Sequence, residues 1–448
     1  MTRIYEAAAY ASSSDDGCYW RTTIDDARAP YPHVEDEITC DFVVVGAGFT
    51  GLSAALHLAE RDAGRIVVLD AETPGWGASG RNGGFACIGG EKSSTRALRK
   101  RYGQEDVALY HQSQHASIDL VAELIEKHGI NADTHSDGET LLAHRPKDVA
   151  GFQDYADLLQ ADFGVKAQII RRDELAEHGM NSPRFHGAIT SPLGFALNPR
   201  KYVLGLAHAA LDAGVEIYAQ SPATKIGRSN TGDYLVTCPN GVVRAKTLLL
   251  ATNGYSSDNI PDWFAARYLP VQSNIIVTRE MSESEIEAQG WTSNQMSYDT
   301  LNLLHYFRLM PNRRFLFGMR GSTRTTQAST AKMKRDIRHD FEAMFPEWSA
   351  VETPHFWAGL VCLSRNLTPY AGPIADWPNA YAALAYHGNG VAMGTYAGSL
   401  LADMATGTTP RIRIPNLMQA PLRKFPLGRW RRAILPPAYS WYALMDRG

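Results

Sequence analysis

Residues 41–45 are a short apolar run that ends on Gly46-Ala-Gly48-Phe-Thr-Gly51 and leads into residues 52–60, where apolar side chains recur at helical spacing. A second apolar strand follows over residues 65–70. Strand, glycine turn, helix and strand make one βαβ unit, which commits this part of the chain to a parallel sheet with helices on its faces. Each glycine has its own duty. Gly46 permits the tight turn, Gly48 lets backbone approach a pyrophosphate, and Gly51 lets the helix pack close to the strand. The helix N-terminus then offers free N–H groups and partial positive charge to the phosphates. Asp70 closes the second strand roughly 20 residues beyond the turn, where a carboxylate accepts hydrogen bonds from ribose hydroxyls. Phe49, Thr50 and Ala71 flank these positions and belong to the same candidate site.

The chain has 448 residues, too many for one ordinary core, so two or three packed units are expected. Lys plus Arg is 44 and Asp plus Glu is 47, a net charge of −3 that argues against a nucleic-acid binder working by charge. No stretch has the apolar length needed to span a bilayer, and the first ten residues lack the core of a secretory signal. Five scattered cysteines show neither CxxC nor metal-site spacing, which suggests reduced thiols in a cytoplasmic protein and no metal centre.

Residues 1–35 read as an irregular arm. Helices are expected over 104–130, 146–162, 201–213, 330–345 and 391–405, and strands over 215–218, 246–251, 303–310, 314–319 and 381–385. A hairpin is expected across Pro239-Asn240-Gly241.

Three later segments favour FAD over a nicotinamide cofactor. The loop Gly77-Ala78-Ser79-Gly80-Arg81-Asn82-Gly83-Gly84 is glycine-rich and too long for a mere connector. An apolar strand ends in Thr252-Asn253-Gly254, and His387-Gly388-Asn389-Gly390 opens a helix through Val391 and Ala392. FAD is long, and its flavin end must be met by segments distant from the first glycine turn. The helix after Gly390 would place its N-terminus at the flavin pyrimidine end, stabilising negative charge there by roughly 0.3–2 kcal/mol.

These segments carry a resemblance. Val45-Gly-Ala-Gly-Phe-Thr-Gly-Leu52, Gly75-Trp-Gly-Ala-Ser-Gly-Arg-Asn-Gly-Gly84, Ala251-Thr-Asn-Gly-Tyr255 and Gly388-Asn-Gly-Val-Ala-Met-Gly-Thr-Tyr396 resemble the D-amino-acid oxidase and sarcosine oxidase superfamily of FAD-dependent oxidoreductases. Within it, the chain is most similar to the gamma-glutamylputrescine oxidase group, from about Tyr19 to the C-terminus. The resemblance implies an α/β fold: a discontinuous, Rossmann-like FAD domain interleaved with an α+β substrate domain whose antiparallel sheet roofs the flavin. The expected segments are an arm over 1–38, FAD-domain parts over 39–100, 196–260 and 356–412, substrate-domain parts over 101–195 and 261–355, and a tail over 413–448. Where the family usually shows His-Pro, this chain has Asn198-Pro199.

The implied activity is oxidation of a C–N bond in a small amine or amino acid, with oxygen or another electron acceptor; an oligomer is compatible with it. A flavin dehydrogenase of a hydroxy acid that passes electrons to a quinone, and a non-catalytic FAD-bound subunit, are the alternatives. For substrate chemistry, Leu304-His-Tyr-Phe-Arg308 reads as a strand whose alternation sends His305 and Phe307 to one face and Tyr306 and Arg308 to the other. Arg308 and Arg320 are either carboxylate clamps, through the planar guanidinium fork, or ion-paired arginines. His387, Arg308 and Tyr306 are the catalytic candidates, His387 being either a base or a hydrogen-bonded structural residue. His305, Arg320 and Trp357 are the candidate substrate contacts. Cys362 is followed by Leu-Ser-Arg-Asn-Leu-Thr-Pro-Tyr, which departs from the pattern of family members that attach FAD covalently, so noncovalent FAD is expected. The basic stretch 423–432 precedes Pro436 and Pro437, which argue against a long amphipathic helix there.

Overall fold

A computed structural model describes residues 1–26 and 28–447. Two eight-stranded sheets organise the chain. In the first, Ala380–Leu384, Val242–Leu250, Glu37–Val45, Ile66–Leu69 and Glu216–Tyr218 lie side by side and parallel. The strands buried on both faces are nearly continuous in Val, Leu and Ile, helices covering one face and the strand Tyr234–Thr237 with irregular segments such as residues 260–268 the other. Phe49–Ala59 and Ala392–Thr406 pack against each other on one face. A Cβ at Gly51 would stand 1.8 Å from the Gly46 carbonyl, so only glycine lets that helix sit so close to its strand.

The second sheet runs His355–Leu363, Leu269–Val277, Phe315–Arg320, His305–Leu309, Met296–Asp299, Glu139–Leu142, Gly187–Ser191, Gln168–Arg171. All its pairings are antiparallel except that of Met296–Asp299 with Glu139–Leu142. One face buries a Phe- and Trp-rich cluster beneath the helix Gln327–Met344. The other face looks toward the first sheet's glycine loops.

Three expectations differ from the structure. The strand expected over 246–251 is continuous with the second arm of the hairpin, because Val242–Leu250 pairs parallel with Glu37–Val45 along its whole length. The boundary expected at 356 falls inside the strand His355–Leu363, which belongs to the antiparallel sheet, and the helix Gln104–Lys127 packs on the helix Ala392–Thr406 of the dinucleotide side. The N-terminal arm is built of short 3₁₀ turns that bury Cys18, Tyr19 and Trp20, and the Trp20 indole donates to the Asn82 carbonyl at 2.9 Å. As expected, the basic stretch 423–432 forms no long helix; Pro436 and Pro437 open the helix Leu435–Arg447 that follows, in the first turn where a missing N–H costs nothing. The basic stretch ahead of it is partly tied down: Arg431 is buried and forked on Asp258 at 2.6 and 2.8 Å. Among the described residues no helix is long and apolar enough to cross a membrane, and no cluster is arranged to hold a metal ion.

Candidate active site

A cleft runs along the C-terminal ends of the parallel strands, the place where open α/β sheets bind ligands. Gly46, Gly48, Phe49, Thr50, Asp70, Ala71, Gly77, Ala78, Ser79, Asn82, Thr252, Asn253, Gly388 and Gly390 all line it. At one end, Asp70 accepts the Ala47 N–H at 2.7 Å and the Glu72 N–H at 2.9 Å, which fixes its carboxylate beside the glycine turn. Burial raises its pKa to about 6. Near the turn, the Ser79 hydroxyl accepts the Phe49 N–H at 3.0 Å. A Cβ at Gly48 would lie 2.7 Å from that hydroxyl oxygen. At the far end, Gly388 has φ +122° and its missing side chain would point into open space.

Gly51, Gly84, Gly254 and Ala392 stand behind this lining. Gly254 backs onto Leu360, and a Cβ at Gly84 would strike the Leu197 carbonyl at 1.9 Å. These positions shape the cleft from below. An acid at one end, glycines along the floor and a helix N-terminus at the other end suit a long dinucleotide; adenosine would sit by Asp70 and the flavin by Gly388. When bound, FAD supplies the acceptor for a hydride.

A second cavity of about 310 Å³ adjoins the flavin end. Ala78, Asn82, Leu360, Val361, His387 and Gly388 line both. Its volume is within the roughly 300–1,000 Å³ of ligand pockets. Arg81, Gly83, Asn389 and Val391 contribute to it from the glycine loops, and Tyr306 and Arg320 from the roof sheet. The Tyr306 hydroxyl lies 2.9 Å from Ser273 Oγ, and burial lifts its pKa to about 12, so it stays a neutral hydrogen-bonding group.

Four expected substrate or catalytic contacts are corrected by this geometry. Strand alternation does place His305 opposite Tyr306, but on the outer face: its Nδ1 is 2.7 Å from Asp299, its Nε2 is 3.3 Å from Asp340, and its ring stacks on Phe317. Arg308 points inward yet lies beneath the cavity floor, donating to the Leu197 carbonyl at 2.7 Å and to His135 Nε2 at 3.0 Å. Trp357 is buried with its indole N–H on the Arg81 carbonyl at 2.8 Å; it supports the loop and is not part of this cavity's wall. His387 faces the cavity, but both ring nitrogens are spent on backbone. Nδ1–H donates to the Gly90 carbonyl at 2.8 Å and Nε2 accepts the Ser364 N–H at 3.1 Å. Burial lowers its pKa to about 4, so it is a brace and not a proton acceptor. Asn198 is the N-cap of the helix Pro199–Asp212, accepting from Arg200 and Lys201.

Sequence reasoning missed Cys87, Glu91, Lys92, Glu139 and Tyr298, which line the same cavity. Glu91 and Lys92 directly follow the glycines Gly89 and Gly90, and Glu139 is the one charged residue of an otherwise uncharged strand. Burial depresses the Lys92 pKa, and the nearby Arg320 adds to the effect. The Glu91 carboxyl is satisfied by the Tyr110 hydroxyl at 2.9 Å and the Gln114 amide at 3.1 Å.

Comparison with known proteins agrees with this geometry. Residues 41–404 match the family described as DAO, FAD dependent oxidoreductase. The chain is 32% identical to the probable oxidoreductase OrdL of Haemophilus influenzae, over 85% of this chain and 86% of that protein. It is 29% identical to the gamma-glutamylputrescine oxidoreductase of Escherichia coli, over 94% and 96%. The crystal structure of glycine oxidase from Geobacillus kaustophilus superposes with a TM-score of 0.69 at 19% identity, covering 86% of this chain and 99% of that one, which shows a shared fold. With its glycine-floored cleft, its acid at the second strand and its roof sheet over the flavin end, the chain belongs to the DAO family of FAD-dependent oxidoreductases.

Proposed function

We propose that the chain oxidises a C–N bond in a gamma-glutamylputrescine-like amine, using noncovalently held FAD as hydride acceptor and releasing an imine that hydrolyses to a carbonyl compound and ammonia or an amine. The observation that carries the reading is the second cavity: it meets the cleft at Gly388, and Lys92 and Arg320 give it a cationic wall suited to a substrate carboxylate. The relative from Escherichia coli, similar along nearly its whole length, supports the substrate class. The protein's own work is to orient the substrate, exclude water and place hydrogen bonds, with Tyr306 held neutral and Asn389 at the helix start. Noncovalent attachment is supported at Cys362, whose thiol lines the cleft but is pushed by burial up to about 12 and stays protonated at neutral pH. Oxygen or a quinone would re-oxidise the flavin.

Incubation of the purified protein with gamma-glutamylputrescine, followed by detection of carbonyl product and ammonia, tests the proposal. Both should accumulate together. Turnover of hydroxy acids with none of amines would contradict it.

A further inference from the structure

Glu139 opens the strand Glu139–Leu142 of the roof sheet, is only 4% exposed, and turns its carboxyl into the cavity beside the flavin end. Among the described residues no lysine, arginine or histidine pairs with it, and the neighbouring group that acts on it is the Cys87 thiol. Arg320 acts on Lys92 and Tyr306, and Cys87 feels both Glu139 and Lys92. Tyr298 and Tyr155 are the other titratable groups that face the carboxyl. Phe85 and Tyr306, edge to face at 5.9 Å, give the wall aromatic surface, while Lys92 and Arg320 supply its cations. A buried carboxylate with no cation paired to it is costly unless a ligand brings the charge. Aromatic faces around it favour the same ligand.

We infer that Glu139 is the site that receives the substrate's ammonium group and takes its proton. The step rests on the amine-oxidising reading above. An N–H bond of the ammonium breaks, an O–H bond forms on the Glu139 carboxyl, and the electron pair remains on nitrogen, leaving the neutral amine from which hydride can depart. In a dry cavity the neutral acid and neutral amine are favoured over the separated ions. Burial supports this by raising the Glu139 pKa to about 8, far closer to an alkylammonium at about 10.4 than an exposed glutamate is.

The test uses the FAD-loaded protein and its Glu139→Gln and Glu139→Asp variants, with FAD content as the check on folding. At pH 9, tetramethylammonium, which carries the charge but no transferable proton, should bind the wild type at least tenfold more tightly than Glu139→Gln. With gamma-glutamylputrescine, wild-type kcat/KM should rise with pH through about 8. In Glu139→Gln it should be lower by roughly 100- to 10,000-fold near neutrality and keep rising toward the substrate's own pKa of about 10. Glu139→Asp should recover part of the loss. Equal tetramethylammonium binding, or variant and wild-type profiles that run parallel, would overturn the role of Glu139. Tight tetramethylammonium binding without any oxidation of gamma-glutamylputrescine would instead reject the proposed substrate and leave the ammonium site standing.

Discussion

Three buried histidines and acids in this molecule show how surroundings decide what a titratable group does. His387 lies on the cavity wall but spends both nitrogens on backbone. Glu139 lies on the same wall with no cation beside it. His305 is away from the cavity, and although burial opposes its charge, Asp299 and Asp340 outweigh it and raise its pKa to about 9. That raised value has a consequence for stability. The protonated His305 contributes fully below its unfolded value of about 6.5, and the contribution is lost as pH rises through about 9. Unfolding free energies from urea titrations at pH 6 to 10 should therefore fall across that window, by an amount on the order of 1–3 kcal/mol, and a His305→Asn variant should lack this component. Gly48→Val adds bulk where even a Cβ would lie 2.7 Å from Ser79 Oγ; FAD content should collapse while the chain stays soluble. Full FAD content in that variant would mean the phosphates lie elsewhere. The glycines and Asp70 were legible in the sequence because their constraint is local, a turn and a strand end. Glu139 and Lys92 were not, because nothing in their neighbours reveals that a strand of one sheet and a loop of the other share a cavity.

At the level of elements, the strand His305–Leu309 shows both the reach and the limit of pattern reading. Its alternation was correctly anticipated, and Tyr306 and Arg308 do share the inward face. Alternation says nothing of depth, however, and Arg308 sits one layer too low, under Gly84 and against the Leu197 carbonyl. Arg320, on the next strand, reaches the cavity. The two arginines should therefore behave differently. Arg308→Met leaves a buried carbonyl unpaired, at a cost of about 1–3 kcal/mol, and should lower thermal stability and FAD content for all substrates alike. Arg320→Ala should leave FAD content intact and reduce kcat/KM for acidic amines about tenfold or more, with little change for uncharged amines. Equal losses for both substrate classes in Arg320→Ala would remove the clamp. The basic stretch 423–432 forms no long helix, as expected, and Pro436 and Pro437 instead start the helix that follows it.

On the scale of the whole molecule, the parallel sheet supplies the dinucleotide cleft and the antiparallel sheet supplies the roof, and the chain crosses between them repeatedly. An interleaved order of segments was the expectation drawn from the resemblance. Their exact limits were not legible, since His355–Leu363 hydrogen-bonds to the roof although it is followed closely by motifs of the cleft. The junction at Gly388 is what makes one machine of two sheets: cofactor cleft and substrate cavity meet there, beside the N-terminus of the helix Ala392–Thr406. The most direct test of this account is anaerobic mixing of the yellow, FAD-loaded protein with gamma-glutamylputrescine, polyamines, N-methyl and D-amino acids, and hydroxy acids, while flavin absorbance is followed. The account predicts rapid bleaching by an amine or amino acid and none by the corresponding hydroxy acid. Bleaching by the hydroxy acid alone, or by no member of the panel, would contradict it.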